Sequence, residues 1–165
     1  MATNKKIRVV QYLNQFFAGV GGEEKGDHPL TFKEGPAGPG LLLQRLLGEE
    51  GEVIGTLFCG DNAYATDPSA EAAALAHIGR LAPDLLVAGP AFNAGRYGLA
   101  CARLCLAARA AGKTAVVTGM HPENPGVAAC RRVVHIVPAA DTAAGMGEAL
   151  PRMVRLGLKL ARGEK

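Results

Sequence analysis

The sequence predicts a single α/β domain, 1–165, in which helices cover both faces of a doubly wound, mostly parallel, five-stranded sheet. Two observations predict this three-layer architecture. Short runs rich in β-branched residues alternate along the chain with longer segments of helical periodicity. No linker, internal repeat or low-complexity tract interrupts the alternation, and 165 residues suit one domain.

Five strand candidates form the predicted sheet, and all of them are short and rich in β-branched or other apolar residues. The third candidate begins with an acidic residue and continues as Leu-Leu-Val-Ala, which is typical of a strand buried on both faces. In chain order the candidates span 7–13, 53–58, 84–88, 114–118 and 133–137.

Helical segments lie between most of these strands. The first carries five leucines and ends at Gly48, and the third ends at Gly112, since glycine is a common helix stop. The second follows an Asp-Pro-Ser sequence that can cap a helix. The last contains Pro151, which predicts an interruption or a kink. The predicted helices span 39–48, 69–81, 97–111 and 142–162.

Alternating strands and helices predict parallel strands joined by crossovers. The strand order 2-1-3-4-5 of flavodoxin-like folds is favoured, and a Rossmann-like order is the alternative. Either order brings the carboxyl ends of the strands to one edge, where open α/β sheets bind their ligands. We therefore expect the four loops after the first four strands to form the functional site.

Composition excludes several classes of function. The net charge of +3 is too small, and the basic residues too scattered, to indicate nucleic acid as a partner. No apolar run approaches the length of a membrane span. The polar residues 1–6 lack the apolar region of a secretory signal, so we expect a cytoplasmic protein whose four cysteines are free thiols.

The loop after the first strand is long and carries two kinds of candidate. Asn14 at its start can hydrogen-bond a small polar ligand. Glu23 and Glu24 are adjacent carboxylates that can serve acid–base or electrostatic roles, and they are candidate catalytic residues. The alternative interpretation of these two glutamates is a solvated turn.

The loop after the second strand begins with Cys59, followed by Asp61 and Asn62. A helix dipole or a nearby cation that lowered its pKa would make Cys59 a nucleophile, so it is the third catalytic candidate. Alternatively, Cys59 is a small buried hydrophobe that ends the strand. Asp61 and Asn62 are candidate substrate ligands, or they form an Asx-turn.

The loop over 89–98 combines three glycines and a proline with Asn93, Arg96 and Tyr97. A guanidinium can bind a substrate carboxylate through two hydrogen bonds, so Arg96 is the first choice for that role. The alternative is a glycine-rich crossover with Arg96 in a surface ion pair. The loop matches no phosphate-binding glycine motif.

The loop over 119–126 contains two prolines, which stiffen it, and carries Glu123 and Asn124 as candidate substrate ligands. His121 is a candidate base, or an ordinary exposed histidine. No metal site is expected, because Cys101 and Cys105 share an apolar helix face that favours packing.

One face of the last predicted helix is basic. Such a stripe is usually a solvated face, and the alternative is a docking surface for an acidic partner. Its residues are Arg152, Arg155, Lys159 and Arg162.

These loops resemble component B of the glycine, sarcosine, betaine and D-proline reductase family, the selenoprotein B subunit. The matching segments run along the whole chain, and they are specific as a set. They are 12–17, 21–25, 34–40, 59–62, 88–98, 117–120, 123–126 and 143–146. The family subunit is much longer, so the chain resembles its N-terminal portion.

The resemblance implies reductive cleavage of the carbon–nitrogen bond of an amino acid or an N-methylated derivative, with a dithiol such as thioredoxin as electron donor. It implies a pyruvoyl-bearing companion subunit, a selenocysteine that takes the carbon fragment, and selenoprotein A as the next carrier. None of the four cysteines matches the selenocysteine motif. The redox centre is therefore expected on another chain or segment, bearing selenocysteine or cysteine, and no cofactor is expected here.

The predicted function is thus a reductase subunit or fragment that contributes to the substrate pocket and a subunit interface. The alternative is a non-catalytic module that binds a small carboxylate or acts as a scaffold. Three apolar side chains fit either a contact surface or a buried pocket, namely Phe16, Phe17 and Phe92.

Overall fold

A computed structural model of the chain describes residues 5–164. Residues 1–4, on which the exclusion of a secretory signal partly rests, lie outside the described residues, as does residue 165. The described chain is an α/β domain with one mixed, mostly parallel sheet. Its strands are β1 (Ile7–Asn14), β2 (Thr31–Glu34), β3 (Gly51–Cys59), β4 (Leu85–Ala88), β5 (Ala115–Met120) and β6 (His135–Pro138).

The sheet has six strands rather than the predicted five, in the order β2-β3-β1-β4-β5-β6. The additional strand, β2, pairs antiparallel with β3 at the edge of the sheet, while every other pair is parallel. Sequence analysis missed β2 because it is only four residues long and half of it is charged and exposed. The flavodoxin-like assignment, made for five strands, stays a prediction.

Six α-helices accompany the sheet. The two that sequence analysis missed, α2 and α5, have only six residues each, too few to show a helical period. The last helix runs through Pro151 as one continuous element instead of being interrupted there. The helices are α1 (Gly40–Leu47), α2 (Asp61–Thr66), α3 (Pro68–Leu81), α4 (Gly95–Ala111), α5 (Pro125–Cys130) and α6 (Met146–Ala161).

Helices cover both faces of the sheet, as predicted. One core cluster packs α2, α3, α4 and α5 against one face, around Tyr12, Leu86 and Leu104. A second cluster packs α1 and α6 against the other face, around Leu43, Val87 and Leu150. In the residues that the structure describes, no helix has the length and apolar character needed to cross a membrane.

The basic stripe lies on the exposed side of α6, opposite the face that α6 buries against the sheet. Of its four cations, Arg162 alone forms an ion pair within the described residues, with Glu50 at 3.0 Å. The docking role of this stripe stays a prediction.

The connectivity creates a switch point between two neighbouring strands. The chain leaves β1 for β3 on one side, then crosses back to β4 on the other side of β1 and continues to β5 and β6. Because the two connections diverge, the carboxyl ends of β1 and β4 leave a crevice, and ligands of open α/β sheets bind in such crevices.

Candidate functional site

A cavity of about 320 Å³ opens at this crevice. Its walls come from the loops that follow β1, β4 and β6 and from the start of α2 after β3. The polar side chains that line it are Asn14, Gln15, Glu23, Asp61, Asp141 and Thr142. Strands remote in the sequence thus supply one site, as the parallel topology predicts.

Asp61 is tied to the end of β1 by two buried amides. Its carboxylate accepts a hydrogen bond from Asn14 Nδ2 at 3.1 Å, and its backbone N–H donates to Gln15 Oε1 at 2.9 Å. Asn14 Oδ1 in turn accepts the N–H of Phe17 at 3.0 Å. Asn14 and Gln15 are 5% and 4% exposed, so they hold Asp61 on a rigid wall of the cavity.

The environment of Asp61 disfavours its charged form. Burial raises the pKa of its carboxyl, whereas the hydrogen bond from Asn14 and the charge of Arg96 act in the opposite direction. The carboxylate oxygen that Asn14 does not reach, Oδ1, is buried and accepts no hydrogen bond from any described residue. Leaving such an atom without a donor costs on the order of 1–3 kcal/mol.

Arg96, in the first turn of α4, lies at the rim. Its guanidinium is 3.7 Å from the carboxylate of Glu23, and the two side chains are 52% and 92% exposed. An exposed pair of this kind contributes little to stability and can exchange partners. The surface ion pair that sequence analysis kept as an alternative therefore exists, and it joins two predicted site residues.

Asn93 holds a carboxylate that sequence analysis did not single out. Its Nδ2 donates to Asp141 Oδ1 at 2.9 Å, and its backbone N–H bonds the Asp141 carbonyl at 3.3 Å. Asp141 and Thr142 follow β6, the fifth predicted strand, whereas the site was predicted in the loops after the first four. The signal that could have found them is an Asp-Thr pair directly after a strand.

Three phenylalanines form the apolar part of the cavity wall. The rings of Phe17 and Phe16 meet edge-on at 5.2 Å between centroids, and Phe92 lies 6.2 Å from Phe17. Phe92 is buried and has a left-handed backbone, with φ of 52°, which is costly for a side chain of this size. Phe16 is 61% exposed at the mouth of the cavity.

Two predicted substrate ligands are buried away from the cavity. Asn124 caps α5, accepting the N–H of Gly126 at 2.9 Å, and donates to the carbonyls of Phe92 and Ala94. Tyr97 is fully buried in the core, where its hydroxyl reaches the Tyr12 carbonyl at 3.4 Å. In this structure Asn124 joins the loops after β4 and β5, and Tyr97 joins α4 to β1, and neither lines the cavity.

Other predicted residues lie on the surface around the site without lining it. Asn62 is hydrogen-bonded to the Asp27 carboxylate. The Glu123 side chain is 83% exposed, 4.0 Å from Nδ1 of His121. Glu24 accepts the N–H of Gly22 within its own turn, and the backbone N–H groups of Glu24 and Gly22 lower the pKa of its carboxyl.

Cys59 has the environment of a buried thiol. Its side chain is completely buried, and Sγ points to the carbonyl of His28 at 3.6 Å. Burial, with a smaller effect from the charges of Asp61 and Asp67, raises the pKa of this thiol to about 12. Such a thiol is not ionised near neutral pH, so the structure favours the interpretation as a strand-ending hydrophobe.

A cavity at the opposite, amino-terminal edge of the sheet is larger, at about 420 Å³. Its wall consists mainly of small and apolar residues from the ends of α3, α4 and α6, with Asp84 and Lys113 as its charged groups. Asp84 accepts the backbone N–H of Arg8 at 2.8 Å and so has a structural role. Size alone therefore does not make this cavity the site.

Comparisons with known proteins find relatives that match nearly the whole chain. The family model of glycine/sarcosine/betaine reductase selenoprotein B matches residues 6–165. The chain is 49% identical over 161 residues to a glycine reductase complex component B subunit gamma of Carboxydothermus hydrogenoformans. It is 45% identical to a sarcosine reductase complex component B subunit beta and 36% identical to a betaine reductase complex component B subunit beta, both of Peptoclostridium acidaminophilum.

These alignments cover 96–97% of this chain but only 36–37% of each relative. The chain therefore spans little more than a third of the length of the curated relatives that it matches. No solved structure matches it.

Proposed function

This chain belongs to the glycine/sarcosine/betaine reductase selenoprotein B family, and from that premise we propose that it forms the substrate pocket and an interface of a component B type reductase. The observation that carries the proposal is the cavity at the switch point. Its walls include residues 14–17, 61, 91, 92 and 94, which lie in the segments that resemble the family.

The proposed reaction is reductive cleavage of the bond between nitrogen and the α-carbon of glycine, sarcosine or betaine. Two electrons from a dithiol, which becomes a disulfide, and two protons balance the cleavage of this bond: the nitrogen leaves as the amine, and the selenocysteine takes the carbon fragment. A selenocysteine or cysteine centre on a partner chain or segment supplies the redox chemistry, with a pyruvoyl-bearing subunit and selenoprotein A as further partners. The four cysteines of this chain are all buried thiols, which supports a redox centre elsewhere.

The role of this chain's residues is to bind and orient the substrate. Arg96 is placed at the rim, where it can exchange the carboxylate of Glu23 for that of the substrate. Asn14 and Gln15 fix the cavity wall behind it. Orientation of this kind can lower the activation free energy of a reaction by several kcal/mol when the geometry is right.

The exposed ring of Phe16 supports the interface part of the proposal. A phenylalanine that is 61% exposed at the mouth of a cavity is typical of a surface that a partner covers. The partner would then close the cavity and bring its redox centre to the bound substrate.

Free thiols are also compatible with the reducing cytoplasm, which is the location we propose.

The test is reconstitution. The purified chain is mixed with a candidate partner that bears selenocysteine or cysteine, and the reduction of glycine, sarcosine and betaine is measured. We expect activity only with both chains, and at least a tenfold lower kcat/KM for Arg96→Gln. Arg132→Gln removes an exposed cation outside the cavity and serves as the matched control. Failure of the chains to associate under any condition would refute the proposal.

A second candidate function is a binding module without a redox role. It is favoured by one observation, namely that the described residues lining the cavity supply carboxylates, amides, a threonine hydroxyl and phenyl rings but no cysteine, serine, lysine or histidine. Calorimetry of the isolated chain with glycine, sarcosine, betaine and proline separates the two functions. Tight binding by the chain alone favours the module, whereas weak binding that tightens on addition of the partner favours the reductase subunit.

A further inference from the structure

We propose that the cavity binds the cationic nitrogen end of its ligand, a primary, methylated or quaternary ammonium group, with Asp61 and Asp141 as counter-ions and phenylalanine rings as walls. This inference rests on the proposed function, which supplies a small amino acid as the ligand. It places the nitrogen end of that ligand in the cavity, whereas the proposed function places the carboxylate end at Arg96 on the rim.

The charge of the cavity is the first argument. Three carboxylates line it, those of Glu23, Asp61 and Asp141, and among the described residues that line it none is a lysine, arginine or histidine. Arg96 at the rim is paired with Glu23, and its charge also acts on Asp61. One cation beside three carboxylates leaves a net negative charge at the cavity, which attracts a cation and disfavours a carboxylate.

The way in which the two aspartates are held is the second argument. Each accepts a hydrogen bond from the Nδ2 of an asparagine on a neighbouring segment, Asn14 for Asp61 and Asn93 for Asp141. The buried Asn14 holds Asp61 in place before a ligand arrives, whereas Asn93 and Asp141 form an exposed pair at the mouth. Asp61 Oδ1 also lacks a donor within the described residues, and a cation in the cavity would offset the cost of its burial.

The aromatic wall is the third argument. Phe16, Phe17 and Phe92 line the same cavity as the two aspartates. The face of a phenyl ring attracts cations, and aromatic walls are typical of sites that bind methylated ammonium groups, which carry no or few hydrogen-bond donors. Carboxylates alone would suit any cation, whereas the rings favour an organic one.

Size and spacing exclude the obvious competitors. A volume of about 320 Å³ lies at the lower end of the range of ligand pockets and suits a small amino acid. Within the described residues no three acidic, histidine or cysteine side chains are close enough together to hold a metal ion.

The full chain is titrated at constant ionic strength with tetramethylammonium chloride, methylammonium chloride and sodium acetate. Binding is measured from the chemical-shift changes of the backbone amide NMR signals. We expect the two ammonium ions to give saturable shifts at residues 14–17, 61, 91–94 and 141–143. Acetate should not give saturable shifts of the amide signals of these residues as a set. Cavity shifts that saturate with acetate, or no saturable shifts with either ammonium ion, would overturn the inference.

Two variants test the counter-ions. Asp61→Asn and Asp141→Asn should each weaken tetramethylammonium binding at least tenfold while the remaining amide spectrum keeps the dispersion of the parent. Glu52→Gln removes an exposed carboxylate on β3, near the amino-terminal edge, and should leave binding within twofold. Unchanged affinity in either folded aspartate variant would contradict the role of that residue.

The two proposals can fail separately. Ammonium binding is measured on this chain alone, whereas the reductase proposal is measured on the reconstituted complex. Ammonium binding without reconstituted activity would refute the reductase assignment and leave a cation-binding module. Reconstituted activity without ammonium binding would refute only the assignment of the nitrogen end to this cavity.

Discussion

Asp61 combines a fixed position with an unfavourable environment. Two amides from the end of β1 hold it, yet burial raises the pKa of its carboxyl and one of its oxygens has no donor within the described chain. Residues that serve binding often reduce the stability of the fold in this way. The cost of Asp61 should therefore be visible in unfolding experiments.

We predict that Asp61→Asn leaves the thermal midpoint at pH 7 unchanged or raises it by roughly 1–3 °C. Because the pKa of Asp61 is raised in the folded protein, folding favours the protonated carboxyl. The stability that protonation of Asp61 contributes is therefore present below the unfolded-state pKa and is lost as the pH rises through the folded-state pKa. The advantage of the asparagine should thus shrink as the pH falls from 7 towards the ordinary aspartate range. Parallel thermal scans by circular dichroism of both proteins measure this difference, and an advantage of the asparagine over the parent that grows as the pH falls from 7 to 4 would contradict it.

Asn124 shows how a polar loop residue can be structural. It is 2% exposed, caps α5 and donates to two backbone carbonyls of the loop after β4. Sequence analysis placed it among the substrate ligands, because an asparagine between two prolines at a strand end fits that role equally well. Its burial could not be read from the local sequence.

We predict that Asn124→Ala lowers the free energy of unfolding by about 2–4 kcal/mol, since it removes a helix cap and leaves buried carbonyls without donors. Asn62→Ala is the matched control. It removes one exposed hydrogen bond to Asp27 and should change stability by about 0.5 kcal/mol or less. Urea unfolding measures both, and equal effects would refute the structural role of Asn124.

At the level of helices and strands, the docking of α4 against α5 depends on close approach. A Cβ on Gly98 would overlap the side-chain oxygen of Asn124, and a Cβ on Gly126 would overlap the carbonyl of Gly98. The two helices therefore pack with backbone nearly in contact. This contact places the start of α4, and with it Arg96, at the rim of the cavity.

We predict that Gly98→Ala destabilises the protein by about 1–3 kcal/mol although alanine is the better helix former, because the methyl group must displace Asn124. Gly79→Ala in α3 is the control, since a Cβ there meets nothing within 4 Å. It should stabilise the protein by about 0.5–1 kcal/mol. Chemical denaturation gives both values, and a gain in stability for Gly98→Ala would disprove the close packing.

Short elements mark the limit of prediction from periodicity. The five long or strongly apolar strands and four of the helices were predicted with modest shifts of their ends. β2 was missed because half of its four residues are charged and exposed, and α2 and α5 were missed because six residues are too few to show a helical period. They form through tertiary contacts, as β2 does by adding to the edge of β3.

For the molecule as a whole, the four thiols share one environment. All belong to the core cluster between the sheet and the layer of α2 to α5. Burial raises the pKa of each thiol, that of Cys59 to about 12. Access to any of them therefore requires the domain to open.

We predict that the native chain at pH 8 reacts with less than one equivalent of a thiol reagent within minutes, and with all four thiols in denaturant. With a pKa near 12, only about one in ten thousand Cys59 side chains is ionised at that pH. Spectrophotometric titration counts the reacting thiols. Rapid labelling of Cys59 in the native state would restore it as a candidate nucleophile.

The sequence contained the alternation of strands and helices, the mostly parallel sheet and the family motifs, because each is written in local periodicity or in specific residue strings. The folded structure alone showed which polar side chains face the cavity. It brought in Asp141 from beyond the last strand, turned Tyr97 and Asn124 inward, and buried Cys59. The physical reason is that the direction of a side chain in an irregular loop depends on contacts with residues far away in the chain, and local patterns do not record such contacts.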